Sequence, residues 1–378
     1  MANRIKFSKH DLDMITQRLS LVDFIAKSVD LKRKGNDFWG CCPFHGEKTA
    51  SFHVREDKKY YHCFGCGTHG NIFEFAKFSQ GGTFPEVVEY LADLAGIKLE
   101  VENMSPEMQK DLDQAYKALE LSTSLFQKRL SEDKVASIYL QKRGLSEQTI
   151  KSFKLGFAKN SWNDLKDSLT QQGISQKVLI DNGMVVPSDK GGYDRFRKRI
   201  MFPIENYKGQ TIAFGGRVIE KEEPKYLNSP ETKLFNKSYN LYALNMHKEE
   251  IRKQNKVFVV EGYMDVIGLH NSGLKLSVAP LGTAITQGQL LLLWKYNSNP
   301  IICLDGDKAG QTAAFRAAKR ALSVIQPGRT LKFMMMPEGE DPDSFVQKNS
   351  IEDFLKLSET TDSMTDCIWK NIIIEKDL

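Results

Sequence analysis

No apolar run in the sequence approaches the length of about eighteen residues that a membrane helix requires, and residues 290–294 are among its longest aliphatic bursts. Its opening, MANRIKFSKHDLDMITQRLS, has no apolar stretch of the kind a secretory leader carries, so none is expected. There is no G-x-x-x-x-G-K-[ST] loop, which excludes a fused ATP-driven motor, and FGGR at 214–217 lacks the spacing of a dinucleotide-binding turn. Internal repeats and low-complexity tracts are missing as well. Cysteine is scarce, six in 378 residues, and four of the six fall between positions 41 and 66. The expected compartment is the cytoplasm, where so few thiols do not build a disulfide framework. A tight cluster of them points to a metal instead.

With 41% hydrophobic and 27% charged residues, the chain has an ordinary globular composition. Its length allows two or three domains, each able to bury a core. The net charge of +5 is unevenly spread: positions 190–237 hold eleven Lys/Arg against six Asp/Glu, which accounts for the whole excess. A local basic block suggests a polyanionic partner.

Local signals set the organisation. Ser8 with Asp11, and Ser20 with Asp23, mark two helix starts with a capping side chain. GGTFPEVVEYLADLAGI reads as a glycine turn followed by an amphipathic helix that ends at Gly96. Ser105–Pro106 opens a long helix, and residues 113–180 are expected to be mostly helical. From Val185 to Arg217 the apolar period shortens towards two, which predicts strands. KVFVVEG, YMDVIGLHNSG, KLSVAPLG, ITQGQLLLLWKY, PIICLDGD and QTAAFRAAKRALSVI then alternate strand and helix, the pattern of an α/β unit around a mostly parallel sheet.

Cys42-x2-His45 and Cys63-x2-Cys66 offer three thiolates and an imidazole. That set suits a closed, tetrahedral and therefore structural Zn²⁺ site. Gly46 and Gly67, directly after the two knuckles, permit the tight turns that aim each pair at one point. Cys41 is an alternative ligand with a longer spacer. His53, His62 and His69 lie nearby and read as strand, surface and turn residues. ASFHVRE and KKYYHCF between the knuckles read as strands, which makes the unit a zinc ribbon. Its aromatics, Trp39, Phe44, Phe52, Tyr60, Tyr61 and Phe64, divide between core bulk and stacking platforms for single-stranded bases. The core reading leads, and Lys48, Arg55, Lys58 and Lys59 support the second.

A second constellation lies at strand ends. VFVVEG finishes on Glu261 and PIICLDGD on Asp305, with Asp307 two residues on. In an open α/β sheet such positions converge on one crevice. Asp341 and Asp343 in EGEDPDSF are placed to approach the same edge. Hard carboxylate oxygens gathered in this way suit Mg²⁺, which keeps several waters and takes its remaining ligands from phosphates. In DRFRKRIMFPI, the spacing of Arg195, Arg197 and Arg199 predicts a ladder on one face of a strand, able to bind phosphates. EPKYLNSPET then presents Lys225, Tyr226, Asn228 and Ser229 in a loop bounded by prolines. Cys303 reads as core, and Cys367 has no partner pattern.

Taken together, CPFHGEKTASF, YHCFGCGTHGN, YLQKRGLSEQTI, RFRKRIMFPI, PKYLNSPET, VVEGYMDV, LGTA, DGDKAG and EDPDSF resemble bacterial DNA primases of the DnaG type, in that family's order and over nearly the whole chain. The resemblance implies an α+β and α/β multidomain fold: an N-terminal zinc ribbon, then an RNA polymerase core with a Toprim subdomain. It implies a zinc-binding domain at 1–101, a linker at 102–112, a basic nucleic-acid-binding subdomain at 113–253, a Toprim catalytic subdomain at 254–338, and the start of a helical subdomain at 339–378. Zinc falls on Cys42, His45, Cys63 and Cys66. Catalysis falls on Glu261, as base or metal ligand, with Asp305 and Asp307. Mg²⁺ or Mn²⁺ would be held by these three with Asp341 and Asp343, and Asp265 is a further candidate. Arg195, Arg197, Arg199, Lys225 and Asn228 match the ridge that handles template and incoming nucleotide.

The implied activity is the synthesis of short RNA primers from ribonucleoside triphosphates on single-stranded DNA during replication, with an RNA–DNA hybrid as product and no membrane partner. The family docks on the replicative helicase through a later helical domain. This sequence ends at Leu378, so that partner is not expected here. One rival is a Toprim nuclease or topoisomerase, but no context for a tyrosine nucleophile is visible. The other is a non-catalytic zinc-ribbon DNA-binding protein, against which the intact Glu261, Asp305 and Asp307 argue.

Overall fold

A computed structural model describes residues 7–45, 47, 49–79, 84–99, 106–189, 191–220, 223–282, 284–325 and 327–375. Gly46, Lys48, the glycines of the turn before Phe84, Ser105, the proposed boundary at 101–102 and Thr283 of LGTA lie outside them. The chain divides into two compact units. One comprises Met1–Met108 together with Trp294–Ser298 and Ile325–Arg329, and the other comprises the remainder. No helix among the described residues is long and apolar enough to cross a membrane.

The first unit starts with two capped helices. Ser8 accepts from the Asp11 amide and Ser20 from the Asp23 amide, each cap stabilising its helix by about 1 kcal/mol. A five-stranded antiparallel meander follows: β1 (Lys32–Lys34), β2 (Asp37–Gly40), β3 (Phe52–Arg55), β4 (Tyr60–Cys63) and β5 (His69–Gly70). Strand alternation sorts its side chains. Phe52, Val54, Tyr61 and Cys63 face inward and are buried, while Trp39, His53, Tyr60 and His62 occupy the opposite face. Phe44 stacks on Tyr61 and meets Phe75 edge-on, so a core of few residues is filled largely with aromatic bulk. The helix Phe84–Ala95 closes on this core through Val87, Val88 and Leu91, and Gly96 ends it with φ +63°.

The second unit starts at Gln109 within the long helix Pro106–Glu132, so residues 106–112 of the proposed linker are helical. β6 (Gly156–Ala158) and, after a short hairpin of β7 (Val185–Val186) and β8 (Tyr193–Asp194), β9 (Arg199–Glu205), β10 (Thr211–Val218) and β11 (Tyr226–Asn228) build an antiparallel sheet in the order β11-β10-β9-β6. β9 and β10 are buried on both faces apart from Glu205. Next comes a six-stranded sheet of β12 (Leu241–Tyr242), β13 (Phe258–Val259), β14 (Ser277–Pro280), β15 (Ile301–Leu304), β16 (Lys332–Met335) and β17 (Asp362–Ser363). Its order is β12-β14-β13-β15-β16-β17; the four central strands run parallel and the two edges antiparallel. The alternation expected from the sequence is therefore what the sheet realises, with helices Tyr263–Asn271, Gln287–Leu293 and Lys308–Leu322 as its crossovers. Cys303 lies in β15 and is buried, as expected.

Two histidines that the sequence did not single out meet inside this unit. His247 Nδ1 is 2.7 Å from the Ser277 carbonyl, and its Nε2 is 2.8 Å from His270 Nδ1. A carbonyl only accepts, so His247 Nδ1 carries the proton, and a neutral Nε2 accepts from His270. Burial pushes His247 down to about 4, with His270 and Lys275 adding to it, and burial likewise pushes His270 to about 4. The unfolded value is near 6.5. The pair's contribution is therefore complete above pH 6.5 and is lost as the pH falls from there towards 4, on the order of 3 kcal/mol for the fully buried His247 at about 1.4 kcal/mol per pH unit. Urea midpoints measured between pH 7.5 and 4.5 should fall more steeply for the wild type than for His247→Gln. Parallel curves would show that the pair does not couple to folding.

Candidate functional site

The first knuckle leaves the end of β2 and the second leaves β4, so strand pairing brings two distant dipeptide spacers to one end of the sheet. Cys42, His45, Cys63 and Cys66 each contribute one ligand atom, and these atoms lie within 4.8 Å of one another. Cys42 Sγ and Cys66 Sγ are 3.8 Å apart, and Cys63 Sγ is 3.8 Å from His45 Nδ1. Tetrahedral Zn–S bonds of about 2.3 Å place two sulfurs about 3.8 Å apart and a sulfur and a nitrogen about 3.6 Å apart. The donor set and its spacing therefore both fit zinc. Cys41 is exposed and outside the quartet. His53 points to Asp37 at 2.9 Å, and His62 and His69 stack on the outer face of the sheet. Gly67 has φ +74°, the turn geometry its position after the knuckle called for.

The aromatic residues of the ribbon divide between core and surface. Phe52 and Tyr61 are core. Trp39 stacks on His53 at 4.4 Å and on Phe64 at 5.8 Å, and Phe64 is 65% exposed. This leaves an open π-surface on the face away from the core.

In the second unit, Glu261 follows β13, Asp305 follows β15, and Asp307 caps the helix Lys308–Leu322 by accepting from the Gly310 amide at 2.7 Å. Gly306 and Gly310 sit in backbone so crowded that a Cβ would come within 2.2 Å of the Met336 carbonyl and 2.0 Å of the Asp305 carbonyl. Asp341 caps the helix Pro342–Lys348, and Asp343 is buried in its first turn. Glu261, Asp265, Asp305, Asp341 and Asp343 line a cavity of about 330 Å³, whereas Asp307, turned to the Gly310 amide, is not among its lining residues. The same cavity is lined by the cations Arg143, Arg217 and Lys225, together with Tyr226 and Asn228. The parallel sheet thus presents its strand ends to the ends of β10 and β11.

The carboxylates are under electrostatic stress. Burial and then Asp305, Asp307 and Asp341 raise Glu261 above the ordinary carboxylate range. Burial, Asp341 and Asp307 raise Asp305. Burial and Asp341 push Asp265 to about 8 although its carboxylate accepts from the Gly262 amide at 2.9 Å. Asp343 finds a partner in Arg143 at 3.2 Å and accepts from Gln347 at 2.8 Å. Gly268 makes room for it, since a Cβ there would lie 2.3 Å from Asp343 Oδ1. Mutually repelling carboxylates are what a divalent cation relieves. Among the described residues the Cys/His quartet is the group whose ligand atoms lie close enough together to hold an ion as they stand, and the carboxylates are not so grouped.

The arginine ladder expected from DRFRKRIMFPI does not form. β8 ends at Asp194 and β9 starts at Arg199, and Lys198 between them has φ +51°, so the alternation that would align the three side chains is broken. Arg195 is half-buried with an unpartnered Nε. The Arg197 guanidinium lies 4.1 Å over Trp162, which is 60% exposed, and 5.2 Å over Tyr193. Arg199 is buried and donates to the Pro224 carbonyl at 2.8 Å. Lys225 and Asn228 do face the cavity.

Several residues of this site escaped the sequence reading. Arg143 comes from a helix end in YLQKRGL. Arg217 belongs to FGGR, which is not a nucleotide-binding turn: Gly215 is there because a Cβ would lie 2.5 Å from the Tyr263 ring, and Arg217 donates to the Tyr226 hydroxyl at 3.0 Å. Tyr263 itself donates to Asn228 Oδ1 at 2.8 Å and stacks on Phe202 at 5.0 Å. No period or spacing carries these pairings, since the partners are far apart in sequence.

A zinc ribbon of this kind and a Toprim sheet facing a basic antiparallel sheet define a class, and family comparison agrees with it. Residues 7–107 match the CHC2 zinc finger family, 125–248 the DNA primase catalytic core N-terminal domain, and 258–346 the Toprim-like family. The DNA primase of Escherichia coli K12 is 41% identical over 96% of this chain and 63% of its own length, and that of Pasteurella multocida is 40% identical over 97% and 64%. The crystal structure of the zinc-binding and RNA polymerase domains of Aquifex aeolicus primase covers 93% of this chain and 86% of its own at 33% identity, with a TM-score of 0.62. A DnaG primase catalytic domain bound to ssDNA matches 71% of this chain and 84% of its own at 39% identity, with a TM-score of 0.65. The chain belongs to the bacterial DNA primase family. It spans a little under two thirds of the length of these curated primases.

Proposed function

We propose that the chain is a DNA-templated RNA polymerase that joins ribonucleoside triphosphates into short primers on single-stranded DNA. The observation that carries this reading is the cavity lined by both carboxylates and cationic side chains, because a nucleotidyl transfer needs both. Cys42, His45, Cys63 and Cys66 would hold the structural zinc. Glu261, Asp305, Asp307, Asp341 and Asp343 would hold Mg²⁺ or Mn²⁺, with Asp265 behind them. Such an ion, when bound, lowers the pKa of an attacking hydroxyl and offsets charge on the phosphoryl group.

The chain's own residues supply the rest. Arg143, Arg217 and Lys225 meet the triphosphate with charge-assisted hydrogen bonds and favour departure of pyrophosphate. Asn228, its carbonyl oxygen engaged by Tyr263 and one amide proton donated to the Leu281 carbonyl at 3.3 Å, offers its other amide proton to the nucleotide. Glu261 borders the place where the 3′-hydroxyl loses its proton, and its raised pKa suits it to take that proton or, with a cation bound, to offer it an oxygen. The ribbon reads template: the Trp39–His53–Phe64 stack is a platform for unpaired bases, and Arg55 lies on the same strand face as His53. Arg197 with Trp162 forms a second cationic and aromatic contact for the strand. The relative solved with ssDNA supports a single-stranded partner.

The test is primer synthesis on single-stranded DNA beside plasmid relaxation and nicking on the same preparation. Primers without relaxation or nicking are expected. Relaxation or nicking without primers would favour a Toprim topoisomerase or nuclease, and DNA binding without any of the three would leave a binding module. Arg197→Ala should weaken single-strand affinity and reduce the slope of log affinity against log salt by roughly 0.7, one phosphate contact, and Lys225→Ala should weaken nucleotide affinity with a flattened salt dependence. Wild-type affinity and slope in both would make them ordinary surface charges.

A further inference from the structure

We infer that Glu47 is a positioning residue of the metal centre, which orients the His45 ring and ties three of the four ligands together. This role rests on the reading of Cys42, His45, Cys63 and Cys66 as a zinc site and adds a residue that the spacing of the knuckles does not mark. One oxygen of the Glu47 carboxylate accepts from the Cys42 amide at 2.6 Å and from the Ser51 amide at 3.2 Å. The other accepts from the Ser51 hydroxyl at 2.6 Å and lies 3.4 Å from His45 Nε2. The Ser51 oxygen is in turn 3.2 Å from Cys63 Sγ. A single side chain thus reaches the backbone of the first ligand, the ring of the second and, through one hydroxyl, the sulfur of the third.

The chemistry of the ring gives this contact its consequence. His45 turns Nδ1 towards the Cys63 sulfur and Nε2 towards Glu47. An ionised carboxylate cannot donate, so the proton of the neutral imidazole belongs on Nε2 and the lone pair on Nδ1 is left for the ion. A partner of this kind on the outer nitrogen holds the tautomer and the ring plane of a metal-bound histidine. The second knuckle is shaped around the same group. A Cβ at Gly65 would lie 2.8 Å from His45 Nε2 and 2.9 Å from the Ser51 hydroxyl, so only glycine lets that turn close over it.

Glu47→Gln keeps the shape and the acceptor for the Cys42 and Ser51 amides but replaces the charged acceptor facing His45. In the full chain, Zn²⁺ release to a chromogenic chelator should become roughly ten- to a hundredfold faster, the usual effect of removing such a partner. The visible bands of the Co²⁺-loaded protein should also shift, reporting a changed imidazole ligand. A sulfur ligand needs no ring orientation, so in a His45→Cys background Glu47→Gln should cost far less. Ser51→Ala should accelerate release without moving the tautomer-sensitive part of the spectrum. Wild-type release and bands in Glu47→Gln would overturn the proposal, as would an equal cost in both backgrounds, which is what a plain loop anchor gives. If His45→Cys fails to take up metal, the spectrum of Glu47→Gln alone decides. A wild type that retains no zinc would instead overturn the metal reading beneath.

Discussion

Asp305→Asn is expected to abolish primer synthesis while single-strand affinity stays at the wild-type level. Asp305 stands just past β15, half-exposed at the mouth of the cavity, where an amide of nearly the same shape can be housed without repacking. Its neighbours make it more than a surface acid: burial, Asp341 and Asp307 already raise its pKa, so the site holds more negative charge than it can balance by itself. Removing one charge eases that repulsion, so the fold should tolerate the change or gain slightly. The same removal weakens the hold on a divalent cation and the compensation of charge on the phosphoryl group. Loss of several kcal/mol of such stabilisation corresponds to roughly two to three orders of magnitude in primer yield. Trp162 with Arg197, and the ribbon face, are separate from Asp305, so template affinity should survive. Full primer yield would defeat the metal-centred mechanism, and equal loss of yield and affinity would indicate misfolding. Asp307→Asn is the informative companion, because asparagine also caps a helix and leaves Lys308–Leu322 intact.

Cys63→Ser is expected to release the zinc and to loosen the first unit as a whole. Cys63 is fully buried, on the inward face of β4 beside Tyr61, so it is both a ligand and a member of the aromatic core. Closed zinc sites contribute about 10–16 kcal/mol in small zinc-finger peptides, more than a ribbon core of this size supplies by burial alone. Metal content should fall from one equivalent to near zero, and limited proteolysis should cut freely within residues 30–70. The second unit should keep its urea midpoint, since its two sheets carry cores of their own. Stoichiometric zinc in Cys63→Ser, with unchanged proteolysis of the ribbon, would sink the assignment of this ligand.

Much of this molecule is written locally. The two-residue spacers of the knuckles, the serine caps at Ser8 and Ser20, the glycine stop at Gly96 and the alternation from KVFVVEG to QTAAFRAAKRALSVI each depend on residues a few positions apart. Local backbone geometry is enough to realise them. The same holds for the positions of Glu261 and Asp305: in a parallel sheet the strand ends converge by topology, so knowing the strands brings these two acids to one cavity, while Asp307 turns to cap the next helix.

What lay beyond the sequence depends on contacts made across long stretches of chain. Arg143 meets Asp343 two hundred positions away, Tyr263 reaches Asn228, and Gly215 yields its volume to the Tyr263 ring. None of these pairings leaves a period or a spacing behind. The arginines of DRFRKRIMFPI show the converse: their spacing of two would align them on a strand, but with the turn at Lys198 Arg197 lies over Trp162 and Arg199 donates to the Pro224 carbonyl. Periodicity reports the faces of elements that exist. Where elements stop, and which distant side chain fills the space that a glycine leaves, is decided only when close packing and the demand that buried charges find partners are met by the whole fold at once.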